Sequence, residues 1–221
     1  MGARVTDKTG PRQRQRRHDG ELSRSRILDA AAEIAASRGY EGTSIGAVSA
    51  KCGLPASSIY WHFKDKDDLI AAVIERSFAN WLTTWRPPQS GPPRERLAAM
   101  TSQTAKGFLD SPDFIRLGLM LMLERRPVEP RARTMFLRVR DRAHSELLTN
   151  LADLAPGLTR AQIEQLATYA MAGADGLFIA KEIGGDSVDL PALLELHGQS
   201  VYDTALRMLA DEGGDADSPT T

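Results

Sequence analysis

The run Thr43-Ser44-Ile45-Gly46-Ala47-Val48-Ser49-Ala50-Lys51-Cys52-Gly53-Leu54-Pro55-Ala56-Ser57-Ser58-Ile59-Tyr60-Trp61-His62-Phe63-Lys64-Asp65-Lys66 holds two short apolar-patterned segments split by a turn. Ile45 and Val48 stand one helical turn apart, Cys52-Gly53-Leu54 breaks the pattern, and Pro55 to Phe63 forms a second segment around Ile59. Thr43 has the chemistry to cap the first helix. Two short helices joined by a glycine turn, with a helix before them, make a helix-turn-helix. Ile27, Ala31, Ile34 and Ala35 supply that leading helix over about 23–38, and Gly39 stops it. Ile45, Val48, Leu54 and Ile59 are then spaced to pack on Ile27, Ala31 and Ile34, a core small enough to lean on the following helix.

Outward from this unit the chain reads as all-α. Ala and Leu total 54 residues against 17 for Val and Ile, which favours helix over strand. Prolines at 87, 88, 92, 93, 127 and 130 mark joints, because proline is poorly tolerated inside a helix. Asp65, Asp67 and Asp68 introduce a long helix from Leu69 to Trp85, and further helices are expected over 94–110, 112–125, 130–154, 159–183 and 190–210. Residues 1–20 and 212–221 read as disordered tails, which leaves a head over 21–66 and a body over 67–211. No apolar run approaches the roughly 18 residues of a membrane span. The start lacks the apolar centre of a secretory signal, and the single Cys52 has no intramolecular disulfide partner, so a reducing cytoplasm is expected.

The net charge of −1 is a cancellation. Residues 1–66 carry 12 basic and 7 acidic side chains, for +5, and the remainder carries −6. A basic head on an acidic body points to a polyanion met by the head. Ala56, Ser57, Ser58, Tyr60 and Trp61 have no evident core duty, and small hydroxylated residues suit a helix pressed into a major groove. His62, Lys64 and Lys66 follow where they can grip a backbone, and Thr43 can offer its hydroxyl to a phosphate. The same residues fit a second reading, with Trp61 and His62 partly buried and both lysines simply solvated. Arg12, Arg14, Arg16 and Arg17 likewise suit either a DNA-reaching arm or a solvated tail.

Ile27-Leu28-Asp29-Ala30-Ala31, Arg38-Gly39-Tyr40, Thr43-Ser44-Ile45, Cys52-Gly53-Leu54 and Ile59 to Lys66 together resemble the N-terminal domain of tetracycline-repressor (TetR) family regulators over about 50 residues. The resemblance implies a homodimeric transcription factor, usually a repressor, bound to a palindromic operator and released by a small molecule. It implies that Thr43 and Ser44 approach phosphate, that Ala56, Ser57, Ser58 and Trp61 face the groove, and that Tyr60, His62 and Lys66 contact the backbone. Two positions depart from the family's habit: Pro55 stands where a serine cap is common, and Ser57 where glycine or another small residue is.

The body shows no catalytic motif. The segment 112–125 is apolar nearly all round and should be buried. Trp81, Trp85, Met100, Phe108, Phe114, Leu117, Met120, Phe136 and Met171 are candidates to line a cavity for an apolar effector, against the alternative that they fill the core. Asp175 is a candidate polar contact, or pairs with an arginine. Ala167, Ala170, Gly173, Ala174 and Leu177 form a small-residue face, and Leu193, Leu196, His197, Ser200, Val201, Thr204 and Met208 form a stripe on the last helix. Two such helices from each of two subunits would build a four-helix dimer interface, as the family resemblance implies; the alternative is packing within one chain. His18, His62, His144 and His197 share no metal-ligand spacing, so no metal or cofactor is expected and an all-α metal-free enzyme lacks positive support. A nonspecific nucleic-acid binder acting through the arginines is the third alternative.

Overall fold

The computed structural model describes residues 11–123 and 130–215. They form α1 (Pro11–Gly42), α2 (Ile45–Cys52), α3 (Ala56–His62), α4 (Lys66–Thr84), α5 (Pro93–Asp110), α6 (Pro112–Leu123), α7 (Arg131–Leu154), α8 (Arg160–Gly184), a 3-10 turn (Gly185–Ser187) and α9 (Leu190–Asp215). The all-α expectation holds throughout these residues. Pro93 begins α5 and Pro112 begins α6, in the first turn where proline costs no hydrogen bond.

Two expectations need correction. The chain is helical from Pro11, so residues 11–20 are no disordered tail. Arginine and glutamine are good helix formers, and their polarity mimics the composition of disorder without preventing a helix. α9 likewise runs on to Asp215, past the end expected at 210. The disorder expected for residues 1–10 and 216–221, and the last two residues of the helix expected over 112–125, lie outside the described residues.

The chain divides into two compact units: Met1–Arg76 with Asp113–Phe136, and Ser77–Pro112 with Leu137–Thr221. The division falls within α4 and within α7, and not at residue 66 as the sequence suggested. In the first unit Ile27, Ala31, Ile34, Val48, Ile59 and Phe63 are buried together with Leu69, Ile70, Val73 and Ile74 of α4, while Ile45 and Leu54 are half-buried. Arg76 ties α4 to α1 through the Asp29 carboxylate at 2.8 Å. Asp67 reaches further along the chain: its carboxylate accepts the backbone N–H of Arg131 and of Ala132, and the Tyr40 hydroxyl at 3.2 Å. One α4 side chain thus caps the start of α7. Gly39 has φ 68°, and the Met120 methyl occupies the space a Cβ would need there.

In the second unit α9 packs against α5 and α8. Leu151, Ala155, Leu158, Leu166, Ala167, Val201 and Ala205 form a core cluster. α8 starts with a reciprocal cap, the Thr159 hydroxyl accepting from the Gln162 amide and the Gln162 side chain accepting from the Thr159 amide.

Candidate nucleic-acid interface

The turn between α2 and α3 is fixed by three polar contacts. Gly53 adopts φ 67°, ψ 23°, and its N–H donates to the Ser49 carbonyl. The Ser49 hydroxyl donates to the Leu54 carbonyl at 2.7 Å, and Arg26 Nη2 donates to the Cys52 carbonyl at 2.7 Å. These bonds set the angle at which α3 leaves the turn. α3 itself has no side-chain cap, since its N-cap residue is Pro55, and Ile59 and Phe63 anchor one side of it in the core.

The opposite side is open. Ser57 is exposed, Tyr60 is 57% exposed and Trp61 76% exposed, while Ala56, Ser58 and His62 are half-buried. Two large aromatic rings held in solvent on a helix whose other face is fully packed are an unusual use of apolar surface, and such surface marks an interaction site. The Trp61 and His62 rings meet edge-on at 4.5 Å. Burial, and then the charge of Arg24, push the His62 imidazole below its usual pKa, so it is neutral at pH 7. Arg24 itself lies 5.3 Å from the centre of the Phe63 ring.

The hydroxyls ahead of α2 divide their roles, and this corrects the sequence reading. Ser44, not Thr43, is the cap and accepts the Ala47 N–H at 3.1 Å. Thr43 is buried and donates its hydroxyl to the Gly39 carbonyl at 2.8 Å, where it closes α1 and faces no solvent. Lys66 also has structural work: Nζ donates to the Tyr40 carbonyl and the Glu41 carboxylate, each at 3.3 Å, and sits 4.2 Å from the Tyr40 ring centre. Lys64 is exposed.

The ten candidate effector residues do not fall in one unit. Phe114, Leu117, Met120 and Phe136 belong to the first, where the Phe136 ring fills the space left by Gly118 and stands 6.2 Å from Phe114. Met120 is 45% exposed and its methyl meets Gly39, while Leu117 is buried. Trp81, Trp85, Met100, Phe108, Met171 and Asp175 belong to the second. Trp81 stacks on Trp85 at 5.1 Å and on Phe78 at 5.6 Å, and Gly107 makes room for its indole. Phe108 meets Phe178 edge-on at 5.4 Å. Asp175 takes the arginine alternative: Arg140 grips both its oxygens at 2.7 Å, while burial raises its pKa against the lowering effect of that guanidinium.

The small-residue face of α8 is used within the chain. The His197 imidazole fills the space beside Gly173 and lies 3.0 Å from the Ala170 carbonyl, and Val201 is buried in the core cluster. Ala174, Leu177, Leu193, Thr204 and Met208 are half-buried, and Ser200 is exposed with its hydroxyl on the Leu196 carbonyl. Leu196 is 59% exposed. The sequence reading passed over Tyr169, Ile179, Ile183 and Leu206, which are exposed on the same two helices. The signal available on α8 was their size and apolarity beside the small residues Ala172, Gly176 and Ala180, each three or seven positions from Tyr169, Ile179 or Ile183. No helix among the described residues is long and apolar enough to cross a membrane.

Residues 27–73 match the family model described as bacterial regulatory proteins, tetR family. An HTH-type transcriptional repressor of Mycobacterium tuberculosis is 28% identical over 141 residues, covering 64% of this chain and 52% of the relative. The chain therefore spans about half the length of that relative. The HTH-type transcriptional regulator BetI of Burkholderia mallei is 26% identical over 179 residues, covering 80% of this chain and 90% of the relative. A tetR-family transcriptional regulator from Streptomyces coelicolor, of known structure, superposes with a TM-score of 0.69 at 16% identity, covering 90% of each chain. That likeness is one of fold.

Proposed function

We infer that this chain, whose residues 27–73 belong to the tetR family of bacterial regulatory proteins, is a transcriptional regulator that represses from an inverted-repeat operator and is no enzyme. The observation that carries this reading is α3: Ile59 and Phe63 bury one face while Ser57, Tyr60 and Trp61 stand in solvent on the other. Ala56, Ser57, Ser58 and Trp61 face the major groove, and Tyr60, His62 and the capped start of α2 at Ser44 meet phosphates. Lys66 reaches phosphate from its seat on Tyr40.

Residues 21–66 act as the DNA-binding head, and the body binds an effector and a second subunit in the cytoplasm. The stacked Trp81 and Trp85 rings and the separate Phe108–Phe178 pair support an apolar effector, with the Arg140–Asp175 pair of α7 and α8 as the polar group. Release works through α4, one helix that carries Lys66 and Asp67 at its start and Trp81 towards its end. An effector that shifts this helix moves two heads out of step with successive half-sites.

Selection of bound sequences from random DNA tests the reading. An inverted repeat should emerge, with affinity falling steeply as salt rises. Recovery of sequences with no common site would reduce the protein to a nonspecific binder. A screen for small apolar molecules that release the selected DNA, followed by indole fluorescence, then tests the effector.

A further inference from the structure

A cleft of about 390 Å³ runs between α1 and α3, and its α3 wall is the face that meets DNA in the reading above: Ser57, Ser58, Trp61 and His62. From α1 the one carboxylate in its lining is that of Asp19. The Trp61 indole lies over Gly20, 3.7 Å from where a Cβ would stand, so α1 comes close to the exposed side of α3 at a residue without a side chain.

The polar groups facing this cleft differ from other hydroxyls of the head in being uncommitted. Ser23, Ser37, Thr43 and Ser49 all donate their hydroxyls to backbone carbonyls. The Ser57 and Ser58 hydroxyls make no bond among the described residues. Gln15 donates to Asp19 Oδ1 at 3.1 Å and steadies the carboxylate, while Oδ2 accepts no bond among the described residues.

α3 has seven residues, about 10 Å of helix, which covers about three base steps of 3.4 Å. With α3 in a major groove, the cleft opens onto the base pair beside those steps. A carboxylate there is repelled by phosphate, so it lowers affinity on every sequence except one whose base edge offers it a donor. An ionised carboxylate only accepts, and the donors in the major groove are the amino groups of cytosine and adenine. Adenine N6 stands between two acceptors, its own N7 and O4 of the paired thymine. Cytosine N4 has an acceptor on one side alone, O6 of the paired guanine, and a serine hydroxyl can donate to that. We propose that Asp19 determines base choice: its carboxylate accepts from N4 of a cytosine next to the bases that α3 reads, with Ser57 or Ser58 donating to the paired guanine. This rests on the reading of α3 as the base-contacting helix.

The test is selection from random DNA with the full chain, run on the parent, Asp19→Asn, Asp19→Ala and Ser57→Ala/Ser58→Ala. At one position of each half-site the parent should hold cytosine over any other base by about fivefold or more. Asp19→Ala should lose that preference alone, and Asp19→Asn should move it towards adenine, since an amide pairs with N6 and N7 together. Neither variant removes more than the exposed bond from Gln15, and melting temperatures equal to the parent's show that the fold is kept. A parent with no cytosine preference overturns the proposal without any variant. So does an Asp19→Asn protein that binds all sequences more tightly with an unchanged pattern, which is the behaviour of a carboxylate that merely repels phosphate. If Ser57→Ala/Ser58→Ala leaves every preference unchanged, the α3 reading fails and takes the proposal with it; if it shifts preferences while Asp19→Ala shifts none, the proposal fails and the α3 reading stands.

Discussion

His62 couples two opposite responses to acid. Its pKa lies below the ordinary 6.5 because burial and then Arg24 disfavour the imidazolium. As pH falls through about 6.5 the unfolded chain takes up a proton that the folded protein does not, so the fold loses stability. In the proposed DNA contact a phosphate beside the ring would favour the imidazolium instead, so DNA affinity should rise over the same interval. Between pH 8 and 6 the free protein should melt lower while operator binding tightens, and His62→Asn should flatten both trends in calorimetry and titration; binding that is flat in the parent removes His62 from the phosphate contacts. Lys66 shows why single residues resist reading from sequence. Lys66→Ala removes the bonds to Tyr40 and Glu41 as well as a charge, so a stability loss of about 1 kcal/mol should accompany an affinity loss that is uniform across sites. The lysine itself was legible, but partners 25 and 26 residues away were not. Thr43 and Ser44 present the same difficulty at close range, since two adjacent hydroxyls compete for one cap and only the backbone path decides between them.

At the scale of elements, Asp67 joins three helices. In sequence it reads as one of the acids that favour the first turn of α4, and it does sit there. Its carboxylate also accepts two backbone N–H groups at the start of α7 and the Tyr40 hydroxyl near the end of α1. Asp67→Ala should cost about 0.5–2 kcal/mol, the range for a lost helix cap, and Asp67→Asn should recover only part of it, because both carboxylate oxygens accept and the amide offers one acceptor. Urea titration of the two variants measures this, and an Asn variant as stable as the parent would mean that the second oxygen adds nothing to the cap. Element positions were otherwise largely legible, because proline and glycine punctuate the chain and apolar periodicity fills the intervals. α1 was the exception: its arginine-rich start has the composition of a tail and the propensities of a helix. A composition argument weighs the first property and overlooks the second.

Over the whole molecule, the basic head and acidic body were visible in the charge arithmetic, yet the compact units do not divide there. α6 and the start of α7 join the first unit because Met120 reaches Gly39 and Asp67 caps α7, contacts that span the chain and leave no local pattern. The dimer surface is subject to the same limit. A stripe of small residues invites a neighbouring helix but does not say whose, and in this chain His197 takes the place beside Gly173. For the proposed dimer, the surface that α8 and α9 leave open is their exposed apolar set, with Ile183 at 83% and Tyr169 at 54% exposure. Substitution on these two faces should therefore give opposite results. Gly173→Ala drives a methyl into the His197 ring and should destabilise the protomer by about 1–3 kcal/mol. Ile183→Glu, at a position already in solvent in the single chain, should leave protomer stability within about 0.5 kcal/mol while placing like charges across a two-fold interface. Sedimentation should then show a monomer, and affinity for the inverted repeat should fall by roughly 10²–10⁴ towards that of one half-site, because linkage between the two heads is lost. An Ile183→Glu/Leu196→Glu protein that still sediments as a dimer would move the interface off these helices.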